Sequence, residues 1–234
     1  MRLVQCTLHR SHAIFRHMHT FQSMGLHPLT MRAITDDFKY SEMSAVQHKV
    51  LVERDRDLLV RAKTGTGKTL AFMIHAVEHS IKLHSLVSGS TPIVVITPTR
   101  ELASQICQET SRLLKHHRMP VALVVGGTPR AKSLRELEMG ASVIVATPGR
   151  FLDILNSSHI VAKKVFGAKV LVLDEADQLL EMGFKREMEE IVRCVLLVVI
   201  AKQCKLEMNF CFYRFAITQC FAIRNCFYNF HISP

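Results

Sequence analysis

Short apolar runs alternate with longer amphipathic segments along most of this chain. Continuous apolar runs predict strands buried on both faces, and they occur at residues 58–60, 93–96, 121–125, 143–146 and 170–173. Segments of helical periodicity lie between or beside these runs, at residues 70–83, 101–116, 130–138 and 151–155. Strands buried on both faces need helices above and below the sheet. The alternation therefore predicts an α/β fold with a doubly wound parallel sheet.

A loop with two glycines joins the first predicted strand to the first long helix, and it comprises Ala62, Lys63, Thr64, Gly65, Thr66, Gly67, Lys68 and Thr69. Gly65 and Gly67 lack Cβ, so this backbone can point successive N–H groups at a polyphosphate at the start of a helix. Lys68 is then expected to reach the β- and γ-phosphates, and the Thr69 hydroxyl to bind Mg²⁺. Ala62 stands where the usual pattern has Gly, and the alternative is an ordinary glycine-containing turn.

Three further strands end in short polar motifs. Residues 93–96 are followed by Pro98, Thr99 and Arg100, which favour either a phosphate cradle or an ordinary capped helix start. The next two strands are followed by Gly126 and Gly127, and by Thr147, Pro148, Gly149 and Arg150. Ligands of parallel α/β sheets bind at the carboxyl ends of the strands, so these motifs are candidate binding residues.

Two acids, Asp174 and Glu175, directly follow the last apolar run. A carboxylate at the end of a strand in a nucleotide-binding sheet is a suitable Mg²⁺ ligand, and we assign this role to Asp174. Glu175 beside it is a candidate base that orients the attacking water. A solvated acidic turn is the alternative.

Taken together, these motifs resemble the first RecA-like domain of the DEAD-box ATP-dependent RNA helicases, which are named for the sequence Asp174-Glu175-Ala176-Asp177. The resemblance extends upstream to the family's Q motif, in which Gln47 would read the adenine edge and Phe21 would form the aromatic region near the base. Met43 stands where the family often has Pro. The resemblance spans residues 21–193, and the loop together with the N-terminal composition is most similar to the mitochondrial branch.

The resemblance implies a RecA-like P-loop domain that binds ATP and Mg²⁺ and grips RNA by its phosphates and sugars. Such backbone contacts do not depend on RNA sequence. The complete family member hydrolyses ATP to remodel RNA. An unrelated nucleotide hydrolase or kinase is disfavoured, because the chain has no guanine-reading Asn-Lys-x-Asp sequence and a kinase would not need the motifs at 98–100 and 147–150.

Charge and composition predict a location of the protein in the cell. Residues 1–35 contain four arginines and no acid, namely Arg2, Arg10, Arg16 and Arg32, whereas the whole chain has a net charge of +10. The composition of residues 1–20 is typical of a mitochondrial transit peptide, and an unstructured basic N-terminus is the alternative. The apolar runs are shorter than the roughly 18 residues that a membrane helix needs, so we expect no membrane span.

Residues 194–234 break from the rest of the chain in composition. Most of the seven cysteines lie here, at spacings that match no C-x-x-C zinc pattern, together with many aromatic residues. The family's Ser-Ala-Thr motif and second RecA-like domain do not follow. We interpret this segment as a misjudged reading frame or intron boundary, with a partner-binding tail as the alternative.

The loss of a second domain would change what the chain can do. That domain supplies an arginine whose counterpart in other nucleotide hydrolases contributes about 10³–10⁵ to the rate. We therefore expect the 234 residues alone to bind ATP weakly and to hydrolyse it hardly at all. The alternative to an enzyme is accordingly an ATP- and RNA-binding fragment without turnover.

Overall fold

The computed structural model describes residues 2–5, 19–53, 57–83, 90–166, 168–200 and 220–225. Within these ranges the chain forms one seven-stranded sheet with helices on both faces. The strands are β1 (Arg2–Gln5), β2 (Leu58–Arg61), β3 (Ile93–Ile96), β4 (Val121–Val124), β5 (Val143–Ala146), β6 (Val170–Leu173) and β7 (Cys220–Asn225). The α-helices are α1 (Pro28–Arg32), α2 (Ala45–Val52), α3 (Lys68–Lys82), α4 (Arg100–Leu114), α5 (Arg130–Met139), α6 (Pro148–Ser157), α7 (His159–Val165), α8 (Ala176–Glu181) and α9 (Lys185–Ile200).

Alternate residues of the central strands face two separate hydrophobic clusters. In β3, Ile93 and Val95 belong to one cluster, whereas Val94 and Ile96 belong to the other. Helices α2, α3 and α4 supply the first cluster, and α6, α7 and α9 supply the second. The predicted α/β sheet covered on both faces is therefore confirmed, because successive side chains of a strand point to opposite sides.

The strand order across the sheet is β1-β2-β7-β6-β3-β5-β4. All five strands predicted from the apolar runs point in the same direction. These five strands form the predicted parallel sheet, and β7, which lies between β2 and β6, is an additional strand that runs antiparallel to both. The slot between β2 and β6 exposes backbone N–H and C=O groups that need partners, and an antiparallel strand satisfies them as well as a parallel one.

Parts of both terminal segments belong to the domain. Residues 194–200 continue α9, and β7 comes from the segment that we interpreted as a misjudged reading frame or intron boundary. At the other end, β1 pairs in parallel with β2, with Arg2 opposite Leu58. The remaining residues of the two segments, at 6–18, 201–219 and 226–234, lie outside the described residues.

The segment before α2 carries a 3₁₀-helix at Phe21–Met24, then α1, then a π-helix at Ala33–Asp37. Polar contacts dock this segment on the end of α4 and on the residues that follow it. The Asp37 carboxylate accepts hydrogen bonds from Lys115 Nζ at 2.6 Å and from His116 Nε2 at 2.7 Å. The Thr30 hydroxyl lies 3.0 Å from His117 Nε2. These contacts hold the chain that leads to Gln47 against the body of the domain.

Among the described residues, no helix combines the length and the apolar character that crossing a bilayer requires. Within the same ranges, no group of three or more His, Cys, Asp or Glu side chains is arranged to hold a metal ion.

Candidate functional site

The glycine-containing loop lies where β2 passes into α3. Gly65 and Gly67 have φ angles of 73° and 82°, in the left-handed region that favours glycine. Gly67 occupies the N-cap of α3, and no side chain caps this helix end. The first N–H groups of α3 are therefore not used by a capping side chain, which is the geometry that an anionic phosphate needs.

Lys68 at the start of α3 and Glu175 after β6 form an ion pair. Lys68 Nζ lies 3.0 Å from Glu175 Oε1, and the two side chains are only 9% and 19% exposed. Glu175 has a φ angle of 47°, a left-handed conformation that a residue with a Cβ rarely adopts. This turn between β6 and α8 places the Glu175 carboxylate against the lysine that is expected to bind phosphate. In this arrangement, a phosphate would have to compete with Glu175 for Lys68.

Asp174 is the most buried acid of the site, with 4% of the residue exposed. The pKa of its carboxyl is raised to about 7, chiefly by burial and also by the neighbouring Glu175 charge, whereas the Lys68 ammonium opposes the shift. The backbone N–H of Asp174 donates to the carbonyl of Ile96 at 2.9 Å, which ties this position to the end of β3. The backbone at residue 174 is thus tied to the neighbouring strand, and a bound cation would offset the cost of the buried carboxylate charge.

Gln47 contacts the glycine-containing loop directly. Its Nε2 donates to the carbonyl of Gly67 at 3.3 Å, and its Oε1 accepts from the backbone N–H of Ser44 at 2.8 Å. Ser44 returns the contact, because its hydroxyl accepts from the Gln47 backbone N–H and completes a capping box at the start of α2. Gln47 retains a second amide N–H and a second lone pair for an adenine edge, so the predicted role stays a prediction.

The contact between Gln47 and the loop predicts the effect of Gly67→Ala. A Cβ at residue 67 would lie 2.5 Å from Gln47 Nε2, and the φ of 82° would be strained by roughly 1–2 kcal/mol. We expect the variant to displace Gln47 and to weaken ATP affinity at least about tenfold, measured by titration with a fluorescent ATP analogue. Gly25→Ala is the matched control, because φ is 58° there but nothing lies within 4 Å of the added Cβ. Equal losses of ATP affinity in Gly67→Ala and Gly25→Ala would show that backbone strain, and not the contact with Gln47, causes the effect.

Phe21 lies in the core and not on the surface of the site. The ring is 0% exposed and belongs to the same hydrophobic cluster as Val46, Val50 and Leu51 of α2. In this conformation neither face of the ring is open to a base. The predicted contact with adenine remains untested, and the observed role of Phe21 is to anchor the segment that precedes Gln47.

The motifs at the ends of β3 and β4 meet each other. Thr99 caps α4 by accepting from the backbone N–H of Leu102 at 3.2 Å, so the helix start is capped as the sequence suggested. The Arg100 guanidinium lies over the glycine pair. A Cβ at Gly126 would come within 3.0 Å of Arg100 Nη2, and one at Gly127 within 2.7 Å of Nη1. The absence of a Cβ at both glycines therefore leaves room for the close approach of Arg100. Pro98, by contrast, is buried.

The motif after β5 also contacts the loop between β4 and α5, which contains Gly126 and Gly127. Arg150 Nη1 donates to the carbonyl of Thr128 at 2.8 Å. Thr147 and Pro148 are buried at the start of α6, whereas Gly149 is half-buried and has open space around its Cα. The structure thus brings Arg100, Arg150 and the glycine pair into one cluster beside the strand ends.

Sequence reasoning missed several residues of these two clusters. Ser44 carries the capping box that orients Gln47, and its signal was the Ser-x-x-Gln spacing. Arg130, at the start of α5, donates from Nη2 to the carbonyl of Asp153 at 3.4 Å. No sequence pattern indicates a contact between an arginine and the backbone of a distant helix.

Comparison with known proteins gives concordant results. A family model described as DEAD/DEAH box helicase matches residues 44–208. The chain is 43% identical over 176 residues to DEAD-box ATP-dependent RNA helicase 26 of Oryza sativa subsp. japonica, and this match covers 74% of the chain and 32% of that protein. It is also 43% identical over 176 residues to the ATP-dependent RNA helicase HAS1 of Debaryomyces hansenii, covering 74% of the chain and 30% of the relative.

A solved structure is similar over the same region. The crystal structure of the yeast DEAD-box splicing factor Prp28 matches with a TM-score of 0.67 and 30% sequence identity, covering 75% of this chain and 42% of that chain. The present chain spans about a third of the length of the curated relatives it matches.

Proposed function

This chain belongs to the DEAD/DEAH box helicase family, and from that premise we propose that it is the ATP- and RNA-binding part of an ATP-dependent RNA helicase. In this proposal, ATP binds at the loop between β2 and α3, and one RNA strand binds along the cluster around Arg100 and Arg150. Turnover of ATP is coupled to remodelling of the RNA in the complete enzyme.

The observation that carries the proposal is the meeting of Lys68 and Glu175 at 3.0 Å beside the uncapped start of α3. A lysine, an acid and free helix N–H groups at one edge of a sheet are the groups that phosphoryl transfer requires. Gln47 contacts the same loop through Gly67, and this contact supports the proposed role of its amide in recognising adenine.

The residues present also fit Mg²⁺. The Asp174 carboxylate and the Thr69 hydroxyl supply the hard oxygen ligands that this ion prefers, and the buried Asp174 charge gains from a neighbouring cation. When bound, the ion would polarise the phosphates and neutralise the charge that develops on them.

Lys68 and Glu175 have separate roles in this proposal. On binding of ATP, Lys68 exchanges its ion pair with Glu175 for the β- and γ-phosphates. The released Glu175 carboxylate is then free to accept a hydrogen bond from a water molecule. It takes up a proton from this water as the water oxygen bonds to the γ-phosphorus and the bond from that phosphorus to the β–γ bridging oxygen breaks, which releases ADP and phosphate. The contact with Lys68 shows that this carboxylate lies against the start of α3.

The proposed RNA contacts use backbone recognition. Arg100 and Arg150 supply guanidinium groups, and the glycine pair lets a sugar-phosphate chain approach the protein backbone closely. No contact of this kind reads the bases, so we propose binding that is independent of RNA sequence.

Nucleotide titrations test the proposal. The purified chain is titrated with a fluorescent ATP analogue with and without Mg²⁺, and GTP is added as a competitor. We expect ATP to compete and GTP to compete poorly. Lys68→Ala is expected to weaken binding by at least about tenfold, because a charge-assisted hydrogen bond to phosphate contributes roughly 1.5–3 kcal/mol.

The matched control is Lys163→Ala, which removes an exposed lysine from α7. Its affinity for ATP should equal that of the original chain. Nucleotide binding that is unaffected by Lys68→Ala would rule out the proposed site. Hydrolysis, measured in the same preparation with and without RNA, separates an active ATPase from a binding fragment.

For the cellular location, we propose mitochondria, on the basis of the arginine-containing, acid-free composition of residues 1–35. The pairing of β1 with β2 bears on this proposal, because removal of a leader that includes residues 2–5 would also remove an edge strand. A reporter protein fused to residues 1–35 tests the proposed mitochondrial location. A diffuse cytosolic signal from this fusion would refute the proposal.

A further inference from the structure

Two arginines connect the start of α5 with α6, and each donates a hydrogen bond to the backbone of the other segment. Arg150, in the first turn of α6, donates to the carbonyl of Thr128 at 2.8 Å, just before α5 begins. Arg130, the first residue of α5, donates to the carbonyl of Asp153 at 3.4 Å, inside α6. Each segment therefore gives one guanidinium to the backbone of the other.

The loop between these contacts is also fixed internally. The Thr128 hydroxyl donates to the carbonyl of Val125 at 2.9 Å, which closes the turn that contains the glycine pair. On the side of α4, the Arg100 guanidinium fills the space next to Gly126 and Gly127, where a Cβ would clash. Arg100 thus packs against the glycine turn, and Arg150 holds the turn through a hydrogen bond. Arg130 links α5 to α6.

We propose that Arg130 and Arg150 are positioning residues that join the glycine turn and the start of α6 into one rigid RNA-binding unit. This inference rests on the proposed RNA-binding function and assigns a role to Arg130, which lies in none of the sequence motifs. Arg150 acts through Thr128 as well as through its charge, so its hydrogen bond is needed in addition to its positive charge.

The physical reason is the shape of the guanidinium group. Arginine presents several N–H groups in a fixed plane, so one edge can hold a carbonyl while another faces a phosphate. Lysine carries the same charge, but its ammonium is a single point at the end of a flexible chain. An Arg→Lys substitution therefore preserves attraction to RNA and removes the link between the two segments.

Conservative substitutions test the inference. Arg150→Lys, Arg130→Lys and the double variant are titrated with a fluorescent oligouridine in the presence of Mg²⁺ and ATP, over a range of salt concentrations. We expect Arg150→Lys to bind roughly tenfold more weakly and Arg130→Lys severalfold more weakly, because each loses a charge-assisted hydrogen bond to a carbonyl. The salt dependence should stay close to that of the original chain, since no charge is removed.

The double variant distinguishes a shared unit from two separate contacts. If the two arginines hold one unit, the loss in the double variant will be smaller than the product of the single losses. Arg135→Lys, an exposed position further along α5, is the matched control and should bind RNA normally. ATP affinity is measured in every variant and should not change, which excludes a general folding defect.

Three outcomes would overturn the inference. Lysine variants that bind RNA like the original chain would show that charge alone is required. Independent losses in the double variant would show that the two contacts do not act together. A control loss as large as that of Arg130→Lys would remove the special role of residue 130. If the original chain itself does not bind oligouridine, the proposed function fails and not this inference alone.

Discussion

Asp174→Asn is expected to stabilise the nucleotide-free protein and to abolish Mg²⁺-dependent ATP binding. The native carboxyl is 4% exposed and has a pKa raised to about 7, from a model-peptide value of 3.8, so the fold disfavours its ionised form. An amide has nearly the same shape and carries no charge. It removes this cost but is a poor ligand for Mg²⁺.

The gain in stability should depend on pH in a defined direction. Below about pH 4 the carboxyl is protonated in both the folded and unfolded chain, and the substitution gains nothing. Between pH 4 and 7 the unfolded chain releases the proton first, so the stability of the native protein falls as pH rises. Above about pH 7 the full cost is present, and the free energy of unfolding should be higher in Asp174→Asn by an amount on the order of a few kcal/mol.

Urea unfolding at pH 5 and pH 8, without nucleotide, measures this difference. Asp153→Asn serves as the control, because it removes an exposed carboxylate at the surface of α6. A variant that is destabilised at pH 8 would contradict the prediction. Retention of Mg²⁺-dependent ATP affinity would remove Asp174 from the proposed metal site.

Phe21→Ala is expected to cost about 3–5 kcal/mol of stability, the usual cost of removing a fully buried phenylalanine ring. The ring is 0% exposed and packs in the cluster that includes the buried face of α2. A cavity there would loosen the segment that carries Gln47. ATP affinity should therefore fall as a consequence, even though the ring does not face the site.

Chemical denaturation of Phe21→Ala, Phe21→Leu and Phe166→Ala measures the effect. Phe166 is 49% exposed, so its removal should cost less than about 1 kcal/mol. Phe21→Leu should fall between the two alanine variants, because leucine fills much of the space. A Phe21→Ala chain with unchanged stability and weakened ATP binding would instead support the contact with ATP that the family resemblance implies.

The parts of the fold that the sequence predicted are those in which local pattern and burial agree. The five apolar runs became strands β2 to β6 because residues apolar at successive positions can be buried only between two layers of helices. Strand direction then brought Lys68 and Glu175 together, since parallel strands end at the same edge. Candidate residues for the nucleotide site could thus be chosen without coordinates.

The parts that escaped prediction depend on tertiary contacts. Strand β7 fills a slot whose existence follows from the order of strands in the sheet, and nothing in its own sequence specifies that position. The amide of Gln47 contacts Gly67 only because α2 packs against α3. Arg130 and Arg150 bind backbone carbonyls, and backbone acceptors have no sequence signature.

The position of β7 also has a consequence for how the domain is made. Translation delivers β2 and β6 well before β7, the strand that pairs with both. Until residues 220–225 have emerged from the ribosome, the nascent chain carries two unpaired strand edges at the centre of its future sheet. Such edges invite pairing with other chains, and long-range pairing of this kind is slow. The growing polypeptide is therefore a natural client for chaperones until residues 220–225 are available to complete the sheet.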